Sequence, residues 1–223
     1  MKNVTLLAMF SFLLSFIVFP ASAERFKASD GQTYSTRLKV KMVTMSGDEF
    51  DTAIGRILVK SSIAAPISLI VDTHRIGDWV HDIVASEVIE RPALTDQTLY
   101  LKFNAPLTLE NRDAFIRFVG EKVTDNRFQF TLFEQLNHFP KRDAVRMADI
   151  RGHIILEQVA PEWVAMEFSM HYSPKVRPVF AANQHTKEIV TNTIKKFRKI
   201  VEREMKGTTL SPKLASELSI NAT

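Results

Sequence analysis

From Ser86 to His171 the chain returns again and again to one pattern, in which apolar and polar residues alternate over a short run that a proline or a polar break then ends. The runs are Ser86–Glu90, Thr98–Asn104, Ala114–Glu121, Phe128–Gln135, Val145–Glu157 and Trp163–His171, with Pro106, Pro140 and Pro161 falling between them. Period-two alternation predicts strands with one covered face. Upstream, Leu38, Val40 and Met42 alternate with Lys39 and Lys41, and Ile57, Val59, Ser61 and Ile63 alternate with Arg56, Leu58, Lys60 and Ser62. Pro66 suits the first turn of a short helix carrying Ile67, Ile70 and Val71. A second helical segment is expected from Ile76 to Ile83 around Trp79. After Pro178 the period changes: Val190, Ile194, Phe197 and Val201 recur at helical spacing, predicting a helix over Phe180–Met205 that stops at Gly207. A sheet of this size must cover its apolar face, and the long amphipathic helix is the available cover. The expectation is an α+β helix-grip fold, a curved antiparallel sheet wrapped around a long C-terminal helix.

The N-terminus reads as a targeting segment rather than as fold. Lys2 supplies positive charge, Leu6–Phe19 is apolar apart from Ser11 and Ser15, Pro20 ends the run, and Ala21-Ser22-Ala23 presents small residues for a signal peptidase. The run is shorter than the roughly 20 residues a spanning helix needs. Residues 1–23 are therefore expected to be a signal peptide, 24–206 one domain and 207–223 a polar tail, in a soluble periplasmic protein. Within that tail Ser211-Pro212 could cap a short turn presenting Leu214 and Leu218, although a disordered tail is the favoured expectation. With no cysteine, neither disulfides nor thiolate metal sites contribute. The net charge is +4, with Lys and Arg interleaved among Asp and Glu. That pattern argues against nucleic acid and leaves room for transient contact with an anionic membrane surface.

Parity along each strand separates its faces. Arg146, Ala148, Ile150, Gly152, Ile154 and Leu156 share one face of the Val145 strand, and Val164, Met166, Phe168 and Met170 share one face of the Trp163 strand. Phe128, Phe130 and Leu132 form the apolar face of their strand, with Glu134 on the same side. Small residues such as Ala148 and Gly152 on an apolar face either leave volume for a ligand or are filled by neighbouring bulk. A hairpin centred near Pro140 sets Glu134 opposite Arg146. Such a pair either anchors a ligand headgroup or closes the end of the cavity and holds the register. Met42, Met45, Met147, Met166 and Met170 are adaptable side chains that suit a pocket or a core equally. Trp163 falls on the outward parity, as a surface or inter-element contact.

Nothing in the chain spells out catalysis. There is no Gly-x-Ser-x-Gly elbow, no nucleophilic cysteine and no glycine-rich phosphate loop. Among the 6 histidines, His74 and His81 flank Asp78 at helical spacing, but Gly77 interrupts the helix that a shared metal would require. No metal and no cofactor are expected.

The residues from about Ile57 to Glu202 resemble the START domain, the lipid-transfer domain related to the steroidogenic acute regulatory protein. Asp72 followed by Trp79 resembles its early D…W segment, and Pro106 followed by Arg112-Asp113 resembles its P…RD motif. His138-Phe139-Pro140 with Val145-Arg146 resembles its hP…vR hairpin, and Pro178 with Asn183 resembles its P…N entry to the last helix. The Gly-Gly-x-x-Pro turn frequent in the family is replaced by Ser173-Pro174-Lys175-Val176-Arg177-Pro178. The resemblance implies one hydrophobic ligand, a sterol, phospholipid or fatty acyl lipid, held between sheet and helix by a monomeric, non-enzymatic carrier. The ligand-contacting residues expected on this basis are Arg146, Glu134, Phe128, Phe130, Leu132, Ala148, Ile150, Ile154, Met166, Phe168, Met170, Val190, Ile194 and Phe197. The alternatives are a helix-grip cyclase or hydrolase acting on a lipid-like substrate, for which Glu134 is the inward carboxylate, and a protein-interaction module.

Overall fold

A computed structural model describes residues 23–106, 109–135, 140 and 142–220. The expected signal segment, apart from Ala23, and His138-Phe139 lie outside the described residues. A small hairpin, β1 (Arg25–Lys27) and β2 (Thr33–Ser35), precedes β3 (Lys39–Val43) and β4 (Thr52–Lys60). Helix α1 (Ala64–Val71), a 3-10 turn (Thr73–Arg75) and α2 (Ile76–Trp79) follow. The chain then runs through β5 (Ile83–Ala93), β6 (Asp96–Phe103), β7 (Arg112–Thr124), β8 (Arg127–Glu134), β9 (Val145–Arg146), β10 (Ala148–Ala160) and β11 (Trp163–Ser173). It ends in α3 (Val179–Glu204) and α4 (Pro212–Ile220). One 9-stranded sheet has the order β3-β4-β11-β10-β8-β7-β6-β5, antiparallel along this path, with β9 paired in parallel to β7. This is the helix-grip fold.

Helix α3 lies over β3, β4 and β11. Val190, Ile194 and Phe197 on its inner stripe are fully buried, and Trp79 meets Phe197 edge-on at 5.2 Å between ring centroids. Close approach requires Gly55 in β4. A Cβ there would stand 2.2 Å from Ile194 Cδ1 and 3.2 Å from Val190 Cγ1, so a side chain would hold the helix off the sheet. α1 is apolar on nearly every side and is buried accordingly. The second helical segment is shorter than its sequence predicts. It ends at Trp79, and Asp82 takes a left-handed φ of 63° where the chain turns into β5. His74 and His81 therefore do not share one continuous helix.

The outer face of β4, β10 and β11 carries charged pairs, Arg56 with Glu167 and Arg127 with Glu157 at 2.6 Å, beneath the β1–β2 hairpin. Tyr34 from that hairpin packs with Leu58 and Ala165, and Phe26 lies 6.2 Å from Trp163, which is an inter-element contact. The C-terminal stretch expected as a tail contains α4, whose Leu214 and Leu218 are buried in the main core. Glu217 on α4 accepts hydrogen bonds from the backbone N–H groups of Leu94 (2.8 Å) and Thr95 (3.2 Å). Those bonds seal the β5–β6 turn, at the opposite end of β6 from Phe103.

Two strand expectations are corrected. The Val145–Glu157 run is two strands, broken at Met147 where the parallel pairing of β9 with β7 ends, and β10 then carries a one-residue bulge between Ala148 and Arg151, with Asp149 at φ 54°. A bulge reverses inside and outside for everything on its far side. Ile150, Ile154 and Leu156 face the core as expected, whereas Arg146 and Ala148 turn outward and Met147 turns in. The β8–β10 ladder pairs Leu132 with Gly152 and Phe130 with Ile154, which moves Arg146 away from Glu134 altogether.

Candidate functional site

The core is close-packed beneath the middle of α3 and hollow beneath its first turns. A cavity of about 320 Å³ opens there, walled by Phe103, Ala105, Pro106 and Leu109 from the β6–β7 side, Met147 from β9–β10, and Met170 and Tyr172 from β11. Pro174, Val176, Pro178, Ala181, Ala182 and Ile189 complete the apolar wall. The volume falls at the small end of the roughly 300–1,000 Å³ typical of small-molecule pockets. These residues come from strand ends and from the start of α3, where the alanines at 181 and 182 do not fill the gap.

The polar groups in the wall are few. Tyr172 is buried beside Thr186, and burial pushes its hydroxyl pKa up to about 12, so it keeps its proton. His185 sits near the mouth, with Nε2 4.0 Å from Asp82 Oδ2. Arg177 reaches outward to Glu49 at 2.5 Å and is largely exposed. Arg112 is different, being only 8% exposed. Its Nε donates to the Pro174 carbonyl at 3.2 Å and its Nη1 donates to the Glu110 carbonyl.

Alternation in β7 explains that placement. Ala114, Ile116 and Phe118 belong to the core, so Arg112 shares the inner face while Asp113 points outward. Asp113 is taken there by Arg146, whose Nε and Nη2 lie 2.6 and 3.2 Å from the carboxylate oxygens. The Arg146 guanidinium also stacks 4.6 Å from the Phe115 ring centre, beside Arg142 at 4.1 Å from Tyr100. Thus Arg146 belongs to an aromatic and charged cluster on the outer face and does not line the cavity.

The remaining expected contact residues divide clearly. Among them Met170 lines the cavity. Phe128, Phe130, Ile150, Ile154, Met166, Phe168, Val190, Ile194 and Phe197 are in the close-packed core, with Leu132 partly buried against it. Glu134 keeps the inward parity opposite Ile116, but among the described residues its carboxylate accepts only a long 3.5 Å bond from the Ile150 N–H. Ala148 is half-buried on the outward side. Gly152 leaves no space either, since a Cβ there would meet the Ser169 carbonyl oxygen at 2.2 Å. Parity counted back from Ala114 was the signal for Arg112, and nothing local to the sequence marks the alanines of α3.

The fold has close counterparts among solved structures. A STAR-related lipid transfer protein from Xanthomonas axonopodis (fragment 25–204) superposes with a TM-score of 0.68 at 24% identity, covering 81% of this chain and 99% of that one. Human STARD10 matches with a TM-score of 0.64 at 14% identity, over 84% of this chain and 76% of its own. Human StAR-related lipid transfer protein 5 gives 0.65 at 13% identity, over 83% and 89% respectively. No family model and no curated protein matches the sequence.

Proposed function

We propose that the chain binds a hydrophobic ligand in the cavity at the N-terminal end of α3 and carries it between membranes. The observation that carries this reading is the cavity itself, an apolar hollow of about 320 Å³ between the sheet and the start of α3. Voids larger than a water are few in ordinary interiors. The structural counterparts whose names describe lipid transfer support the same reading. Tyr172 keeps its proton, and among the described residues no carboxylate lines the cavity to work with His185, the one imidazole in the described wall, which supports binding more than paired acid–base chemistry.

The mouth suits a membrane surface. Phe180, at 76% exposed, and Leu109, at 42%, stand beside it, with Lys175 and the exposed Arg177 between them. Exposed apolar groups flanked by cations match the interface of an anionic bilayer. Export through the Lys2-to-Ala23 segment sets the encounter in the periplasm, and cell fractionation with N-terminal sequencing of the mature chain checks it. Lipid transfer is tested by incubating the purified protein with donor vesicles carrying a labelled lipid mixture and unlabelled acceptor vesicles. Transfer above the spontaneous rate, together with an amphiphile recovered by organic extraction and mass spectrometry, is expected. An empty extract with no accelerated transfer would overturn the reading.

A further inference from the structure

We infer that the cavity takes a single-chain amphiphile with an anionic head, the head held by Arg112 and the chain lying against Met147, Met170 and Ile189. This inference rests on the binding reading above and names its ligand class.

The charge argument comes first. Arg112 is buried, cannot shed its proton, and has five N–H donors in a fixed fork. Two of those donors meet backbone carbonyls, and among the described residues no carboxylate lies within ion-pair distance of the guanidinium. Its sequence neighbour Asp113 cannot help, because alternation turns it to the opposite face of the sheet, where Arg146 holds it. A buried charge without a counter-charge is costly unless a partner arrives. The rest of the wall points the same way. The ionisable groups that line the cavity are Arg112, Arg177, His185 and the un-ionised Tyr172, with no acid among the described lining residues. α3 begins at this wall without a capping side chain or an acidic residue in its first turn, so its positive end adds to the same field.

Size then selects the tail. The volume of about 320 Å³ stands at the small end of the roughly 300–1,000 Å³ range of small-molecule pockets. A single acyl chain matches a pocket of that size better than two chains do. The shared chemistry is an anionic head on one chain, whether carboxylate or phosphate.

The test compares dodecanoate, dodecyl phosphate and methyl dodecanoate for binding to the purified chain at neutral pH by calorimetry. A charge-assisted hydrogen bond predicts that at least one of the anions binds about tenfold to a hundredfold more tightly than the neutral ester. Whichever anion binds best identifies the headgroup. Arg112→Met should bring the acid to the level of the ester without weakening the ester, and Arg112→Lys should keep most of the preference. If Arg112→Met does not fold, judged by its thermal melt, the ratio of acid to ester on the parent and on Arg112→Lys decides the matter. Equal binding of both anions and ester, or a preference that survives Arg112→Met, overturns the anionic inference and leaves hydrophobic binding standing. Failure of all three ligands to bind overturns the binding reading beneath it.

Discussion

The two ends of α3 are built by different physics. From Ile189 to Val201 the helix is seated on β4 through Gly55 and locked by Val190, Ile194 and Phe197, each with no measurable exposure. From Val179 to Ile189 it spans a hollow and is held by polar contacts instead. Asn183 Oδ1 accepts the Asp51 N–H at 3.0 Å, and just ahead of the helix Arg177 pairs with Glu49. Nearby, His171 Nδ1 lies 3.3 Å from Thr52 Oγ1 and 3.6 Å from Asp48. One helix thus serves as core at one end and cover at the other. Dispersion and burial hold the first end permanently, while the second is fastened by bonds that water can replace. Under the proposed carrier function, that division lets the end that admits a ligand open without unfolding the end that stabilises the domain.

The strongest challenge to this division is Phe197→Ala at the packed end. Removing a fully buried aromatic in contact with Trp79 should cost about 3–5 kcal/mol in urea unfolding. A loss below about 1 kcal/mol would mean that the packed end does not carry the domain's stability. Next comes Gly55→Ala, which drives a methyl into Ile194 and should cost about 1–3 kcal/mol by overpacking. Adding Ile194→Val removes the clashing Cδ1 and should recover part of that cost. An unchanged or worsened double variant would show that the seat is not set by this contact.

At the hollow end the sign reverses. Ala182→Leu fills empty volume, so stability should rise by roughly 0.5–2 kcal/mol while hydrophobic ligand binding falls. A variant that keeps full binding would place the ligand elsewhere. The smallest effect concerns pH. Burial, and then the charge of Arg151, hold the His171 pKa below its ordinary value. An unfolded histidine titrates near about 6.5, so the stabilisation is complete above that pH and is lost as pH falls through it toward the folded value. His171→Gln should flatten the acid limb of the unfolding midpoint against pH. An identical slope in the variant would remove His171 from the account.

Much of this architecture was legible before any coordinates. Alternation identified the inner faces of β8 and β11, and helical spacing identified the stripe Val190, Ile194, Phe197 and Val201 that α3 buries. The position of the hollow was not legible. Parity says which side chains point inward but not whether facing ones meet, and that depends on helix–sheet separation, set by Gly55 in a strand far away in sequence. Ala148 and Gly152 looked like unfilled space, yet one faces outward and the other abuts the Ser169 backbone. The Glu134–Arg146 pairing failed for a related reason, since a hairpin register counted from Pro140 cannot foresee a parallel β9 taking Arg146 to Asp113. Helix α4 was seen only as an option, because Leu214 and Leu218 acquire a reason to be apolar once the β5–β6 turn is there to receive them.

The bulge at Asp149 carries a consequence for how such a cavity can change its chemistry. Upstream of it, backbone count alone decides whether Met147 or Arg146 is the residue that faces inward. Deleting one residue there would exchange a thioether for a guanidinium in the wall without altering any side chain, and would release Asp113 from its partner on the outer sheet. A one-residue insertion or deletion in β10 thus acts as a substitution at a distance, changing which residue of an unaltered upstream segment lines the cavity.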